Sequence, residues 1–181
     1  MDEIIKSLDC IVSSEDDSIK EKILKLLNIE YKNESCVEYV QAMLLGGFSS
    51  SKEEKAYCDK YYLLLEKSAN KGCKEAQYIV ANRLYDEGKF IEALKLYKES
   101  ANNGYAPSQW CYGLDSFNGI EGVIKPDIEK GLLYITYSAG QLYAYAVEFL
   151  IDIYTKGYKN IEPDESKAKF YKRMLKWEVV Y

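Results

Sequence analysis

"EKSANKGCKEAQY" runs from Glu66 to Tyr78, and "KESANNGYAPSQW" runs from Lys98 to Trp110, starting 32 residues later. Each places Ser-Ala three residues ahead of a glycine and follows it with glutamine and an aromatic residue. Each therefore reads as the end of one helix, a tight turn and the start of the next. Gly72 and Gly104 sit where the backbone must turn left-handed, which glycine does without strain. Near-identical text at a set interval is the mark of a repeat architecture.

Working outward, the Ser-Ala pair recurs at 68/69, 100/101 and 138/139, a column of small residues that lets helices approach closely. A mid-helix column holds Ala42, Ala81, Gly113 and then Ile151, at intervals of 39, 32 and 38 residues. These intervals suit repeats built from helix pairs. A third column holds Ala93, Gly131 and Ala168. "KPDIEKGLLY" (125–134) matches "EPDESKAKFY" (162–171), with Asp127 and Asp164 placed to cap the helices that Pro-Asp opens.

The pattern predicts helices over about 34–46, 53–70, 74–87, 90–102, 107–118, 127–139, 143–156 and 164–179. Residues 1–33 lack the repeat pattern and read as two short amphipathic helices, about 2–11 and 15–28, forming an amino-terminal cap. Residues 34–181 then form a repeat domain of about four helix pairs.

Composition narrows the chemistry. With 3 Pro and 11 Gly among 181 residues, the chain leans towards helix. The absence of histidine removes the imidazole base and the His metal ligand, so no metal and no cofactor is expected. Five cysteines, at 10, 36, 58, 73 and 111, form no Cys-x-x-Cys pair and read as reduced apolar residues of a cytoplasmic protein. The acidic start "MDEIIKSLDCIVSSEDD" is unlike a signal peptide. No apolar run reaches the ~18 residues that a membrane span needs, so no membrane role is expected. A net charge of -5 with only Arg83 and Arg173 as arginines argues against nucleic acid.

The repeated strings resemble the Sel-1-like repeat family, relatives of the tetratricopeptide repeats. That family's pattern is Ala-x-x-Gly, Ala-Gln-Tyr, a small residue, Tyr-x-x-Gly and, after a loop, Lys-Ala-x-x-x-Tyr. "SANKGCKEAQY" (68–78) carries the first half, "YTKG" (154–157) the middle and "DESKAKFY" (164–171) the end, and the resemblance covers about 34–179. Leu142 stands in place of a turn glycine and Ile151 in place of a small residue, departures that bear on the packing of the fourth pair. The resemblance implies an all-α fold, an α-solenoid of antiparallel helix pairs in a right-handed superhelix whose first helices line a concave face. It also implies protein binding rather than catalysis.

On that face, the exposed positions lie three before, one after and four after each mid-helix small residue. They include Tyr39 and Met43; Tyr78, Asn82 and Tyr85; Trp110, Leu114 and Phe117; and Glu148 and Asp152. Tyrosine and tryptophan give large contact area at little rotamer cost, and the acids would meet Lys or Arg on a partner. Aromatics at helical spacing also fill cores, and that reading stays open for each of them. "NGIEGVIKP" (118–126) lacks the Gly-Lys-Ser/Thr of a phosphate cradle and reads as an inter-helix loop. Short proteins of this resemblance look like specific inhibitors, such as immunity proteins that neutralise a cognate bacterial toxin or basic effector domain. The alternative is a regulatory scaffold that bridges cytosolic proteins.

Overall fold

The computed structural model describes residues 34–45 and 53–177; the expected cap helices within 1–33 lie outside them. Eight helices follow one another: α1 (Val37–Leu45), α2 (Glu53–Asn70), α3 (Lys74–Asp86), α4 (Phe90–Asn102), α5 (Ala106–Asn118), α6 (Ile128–Gly140), α7 (Ala144–Lys156) and α8 (Glu165–Trp177). Each expected helix from residue 34 onward is present, with its ends shifted by less than one turn. Among the described residues there is no strand, and no helix is long and apolar enough to cross a membrane. The chain divides into two compact units, 1–100 and 101–181, and the division falls in the last turn of α4.

In the first unit, α2 packs against both α1 and α3. Ala42, Leu65, Ala69, Cys73, Ala76 and Val80 form the buried cluster between them. The Arg83 guanidinium of α3 lies 4.6 Å over the Tyr62 ring and bonds to Glu66, tying α3 to α2. On α4, the buried Tyr97 donates its hydroxyl to Asn82 Oδ1 of α3 at 2.6 Å.

Cys36, just before α1, is disulfide-bonded to Cys73, the N-cap of α3, with Cα atoms 5.0 Å apart. This corrects the expectation that all the cysteines are reduced. Thirty-seven residues separate the two, and only the packing of α1 beside the α2–α3 turn brings them together. Cys58 and Cys111 are half-buried and lie outside the disulfide. The cysteines therefore give no support to a reducing compartment.

In the second unit, α5 packs on α6, α6 on α7 and α7 on α8. Its core gathers Phe117, Ile135, Ala139, Ala146, Val147, Leu150 and Ile153. Two glycines set the closest approach. A Cβ on Gly131 would lie 2.6 Å from the Phe117 Cα, and one on Gly113 would lie 2.9 Å from the Ile135 backbone nitrogen. The axes of α5 and α6 can come this near only because neither position carries a side chain.

The repeated serines do more than save space. Ser68 Oγ donates to the Ser35 carbonyl (2.5 Å), Ser100 Oγ to the Lys74 carbonyl (2.7 Å) and Ser138 Oγ to the Ala106 carbonyl (2.8 Å). In the first three pairs the last turn of the second helix is thus bonded to the start of the first. The glutamines add a second bond, across the turn: Gln77 Nε2 donates to Ala69 O (3.3 Å) and Gln109 Nε2 to Ala101 O (3.1 Å).

The turns follow the sequence closely. Gly72 and Gly104 have φ of 92° and 81°, and Leu142 takes the same left-handed conformation at 62° without being glycine. Asp127 and Asp164 each accept the backbone N–H three residues on at 3.0 Å, at Lys130 and Lys167. The longer loops before them are closed by backbone bridges, Ile120 with Ile124 and Tyr158 with Ile161. The 118–126 stretch is indeed an inter-helix loop.

Two outcomes follow from these contacts. Gly131→Ala forces a methyl group into the Phe117 backbone and should cost about 3 kcal/mol in urea denaturation. Gly104→Ala meets open space, so only its backbone strain remains, and the loss should be about 1–2 kcal/mol. The bond from the Lys167 N–H holds the Asp164 carboxyl below the ordinary aspartate value of 3.8. A depressed folded value means that the cap stabilises in full above pH 3.8 and is lost as pH falls through the folded value. The melting-temperature advantage of the wild type over Asp164→Ala should therefore shrink as the buffer is taken from about pH 5 to about pH 2.

Candidate protein-binding surface

The clearest surface lies in the second unit, on α5 and α7. Tyr145, Glu148, Phe149 and Asp152 are spaced to share one side of α7. Trp110 of α5 stacks on the Tyr145 ring, with centroids 6.5 Å apart and planes 23° apart, and meets Phe149 edge-on at 5.6 Å. Tyr143 extends the group, 5.6 Å from Tyr145. Tyr145 is 63% exposed, so the outer face of the stack is open. Glu148 and Asp152 are exposed beside it, and Asp152 pairs with Lys156 at 2.5 Å. Leu114, one turn after Trp110, is half-buried.

Phe117 requires a correction. It is wholly buried, edge-on to Phe149 at 5.4 Å and stacked on Tyr158 at 5.8 Å, and belongs to the core. The cause is the approach at Gly131, which presses the α6 backbone against Phe117 itself. Lys159 then closes over it, donating to the Phe117 carbonyl at 2.8 Å with its ammonium 4.7 Å from the ring centroid.

The first unit holds the other five candidates, all half-buried. Tyr39 and Met43 of α1 pack on its core cluster. Tyr78, Asn82 and Tyr85 line one side of α3 around Tyr97, with ring centroids 6.1 Å (Tyr78) and 6.2 Å (Tyr85) from it. Tyr85 also meets Phe90 edge-on at 4.9 Å. These three support the α3–α4 hairpin as much as they face outward.

Tyr145 and Phe149 were not among the expected residues. Counting from Ile151 as the equivalent of Ala81 and Gly113 selects Glu148 and Asp152 on α7 and passes over the aromatics beside them. Their spacing of four is a signal that the sequence does carry. On α8, Lys169 is paired to Glu165 at 2.8 Å, and Lys167 is paired to the capping Asp164 at 3.6 Å.

Superposed on solved structures, the chain resembles a Sel1 repeat protein from Oxalobacter formigenes, with a TM-score of 0.68 over 88% of this chain at 23% identity. It has the Sel1-like repeat fold, an all-α solenoid of helix pairs. A second similar structure is a protective antigen present in uropathogenic Escherichia coli strains that displays an SLR fold, with a TM-score of 0.59 over 91% of this chain at 20% identity. The chain spans 65% of the first protein and 38% of the second. No protein-family model matches it, and no curated protein does. Within a Sel1-like repeat fold, Trp110, Tyr145 and Phe149 belong to the first helices of successive pairs.

The surface and core assignments separate in a denaturation experiment. Tyr145→Ala removes one outer ring of the stack and should cost less than about 1.5 kcal/mol. Phe117→Ala empties a fully enclosed site and should cost about 3–5 kcal/mol.

Proposed function

We propose that this chain is a non-catalytic protein-binding repeat module, and most specifically an immunity-type protein that binds and neutralises a cognate bacterial toxin in the cytoplasm. The observation that carries the reading is the open stack of Tyr145 on Trp110 with Glu148 and Asp152 on the same side of α7. Stacked aromatics are already held in place, so a partner gains contact area without ordering them. The acids suit a basic toxin or effector domain, and a net charge of -5 favours its approach while repelling nucleic acid. The two carboxylates fit binding better than catalysis, because both are exposed and Asp152 is paired with Lys156.

A second exposed apolar pair, Leu133 and Tyr137 on α6, favours the other reading, a scaffold that holds two proteins at two faces. Co-expression distinguishes them. Each neighbouring gene's product is expressed in a test bacterium with and without this chain, and growth is measured. For an immunity protein, one product should arrest growth and this chain should restore it. A Tyr145→Asp, Glu148→Lys variant with unchanged helical circular dichroism should fail to restore it. Neighbouring products that are all harmless, or a variant that protects as well as wild type, would overturn the reading.

A further inference from the structure

Glu75 is a buried carboxylate beside two sulphurs. It lies in the first turn of α3 and is only 9% exposed, between the buried Cys73 and Ala76. Its Oε2 is 3.3 Å from Cys73 Sγ and 3.6 Å from Cys36 Sγ. Two sulphurs and one carboxylate oxygen thus lie within 4.8 Å of one another. In the disulfide neither sulphur has a hydrogen to give that oxygen. Once reduced, both have one, and both become metal ligands when they lose it. Deprotonated, the two sulphurs and the carboxylate bring negative charge to one place, which favours a cation there.

We propose that, with the disulfide reduced, Cys36, Cys73 and Glu75 form a zinc site. Two thiolates with one carboxylate suit Zn²⁺, whereas Mg²⁺ and Ca²⁺ take oxygen ligands throughout. Tetrahedral zinc with bonds of about 2.3 Å sets the sulphurs about 3.8 Å apart. Cα atoms 5.0 Å apart allow that by rotation of the cysteine side chains. Cys36 is half-buried, so one side of the site faces solvent and water takes the fourth position. Ser35 Oγ, 3.8 Å from Cys36 Sγ, stands at that edge.

The chemistry balances with a small thiol as reductant. Two of its molecules give two electrons and two hydrogens to the Cys36–Cys73 bond and leave as one small disulfide. The two cysteine thiols then release two protons as Zn²⁺ binds. Disulfide and zinc exclude each other, yet either one joins the start of α1 to the α2–α3 turn. That junction therefore holds in both oxidising and reducing surroundings.

The test uses the whole chain, reduced and desalted without oxygen. Zn²⁺ is titrated against a chromogenic chelator, and Co²⁺ is added to read thiolate-to-metal absorption. The reduced wild type should take one ion per chain with a thiolate band, and the oxidised protein none. Cys73→Ser should abolish the band. Glu75→Gln, which keeps both cysteines, should weaken zinc binding by at least about tenfold. A folded, reduced wild type without a cobalt–thiolate band overturns the proposal. So does a band that persists in Cys73→Ser, or zinc affinity unchanged in Glu75→Gln. Should Cys73→Ser fail to fold, Glu75→Gln alone decides.

Discussion

The architecture depends on one small bond made three times, from a serine hydroxyl in the last turn of a second helix to a carbonyl at the start of the first. An antiparallel pair has its loop at one end and is open at the other, where a bond adds to the core packing that holds the two helices together. The serine closes that open end, and it can reach because alanine follows it and keeps the neighbouring surface thin. The glutamine one turn into the next helix then ties the same helix end across the turn. The α2–α3 and α4–α5 turns are thereby held from both sides, so the repeat unit is the turn with its two flanking helix ends rather than any single helix.

Close packing in one place decides what is exposed in another. Because Gly113 and Gly131 bring α5 and α6 almost backbone to backbone, Phe117 is driven into the core. The aromatic character of the surface passes from Phe117 to the stack of Trp110 on Tyr145. Tyr85, at the equivalent place on α3, sits opposite Ala93's helix and keeps an accessible edge against Phe90. The same repeat position is thus core in one unit and half-buried in the other, and at Phe117 the short backbone distance to Gly131 is the cause.

That distance is why the fold was more legible than the site. Turn glycines, Pro-Asp caps and the Ser-Ala column act through neighbours in sequence, so their meaning survives without coordinates. Gly72, Gly104, Asp127 and Asp164 all do what their local chemistry dictates. Even Leu142 was visible as a departure, and the turn overrides its side chain by holding it at φ 62°. The burial of Phe117 and the exposure of Tyr145 depend on which helix side meets which, and repeat register alone does not give that. The Cys36–Cys73 pairing is more remote still, since no local signal links residues 37 apart.

The disulfide is one of several ties at the start of α1. Ser68 bonds the Ser35 carbonyl, Lys71 pairs with Glu38 at 2.5 Å, and Cys73 is bonded to Cys36. All three partners come from the last turn of α2 and the turn after it, so α1 is anchored to the α2–α3 junction. At the starts of α3 and α5 the same serine bond recurs. The burial of Glu75 beside two sulphurs follows from making that anchor at the N-terminus of α3.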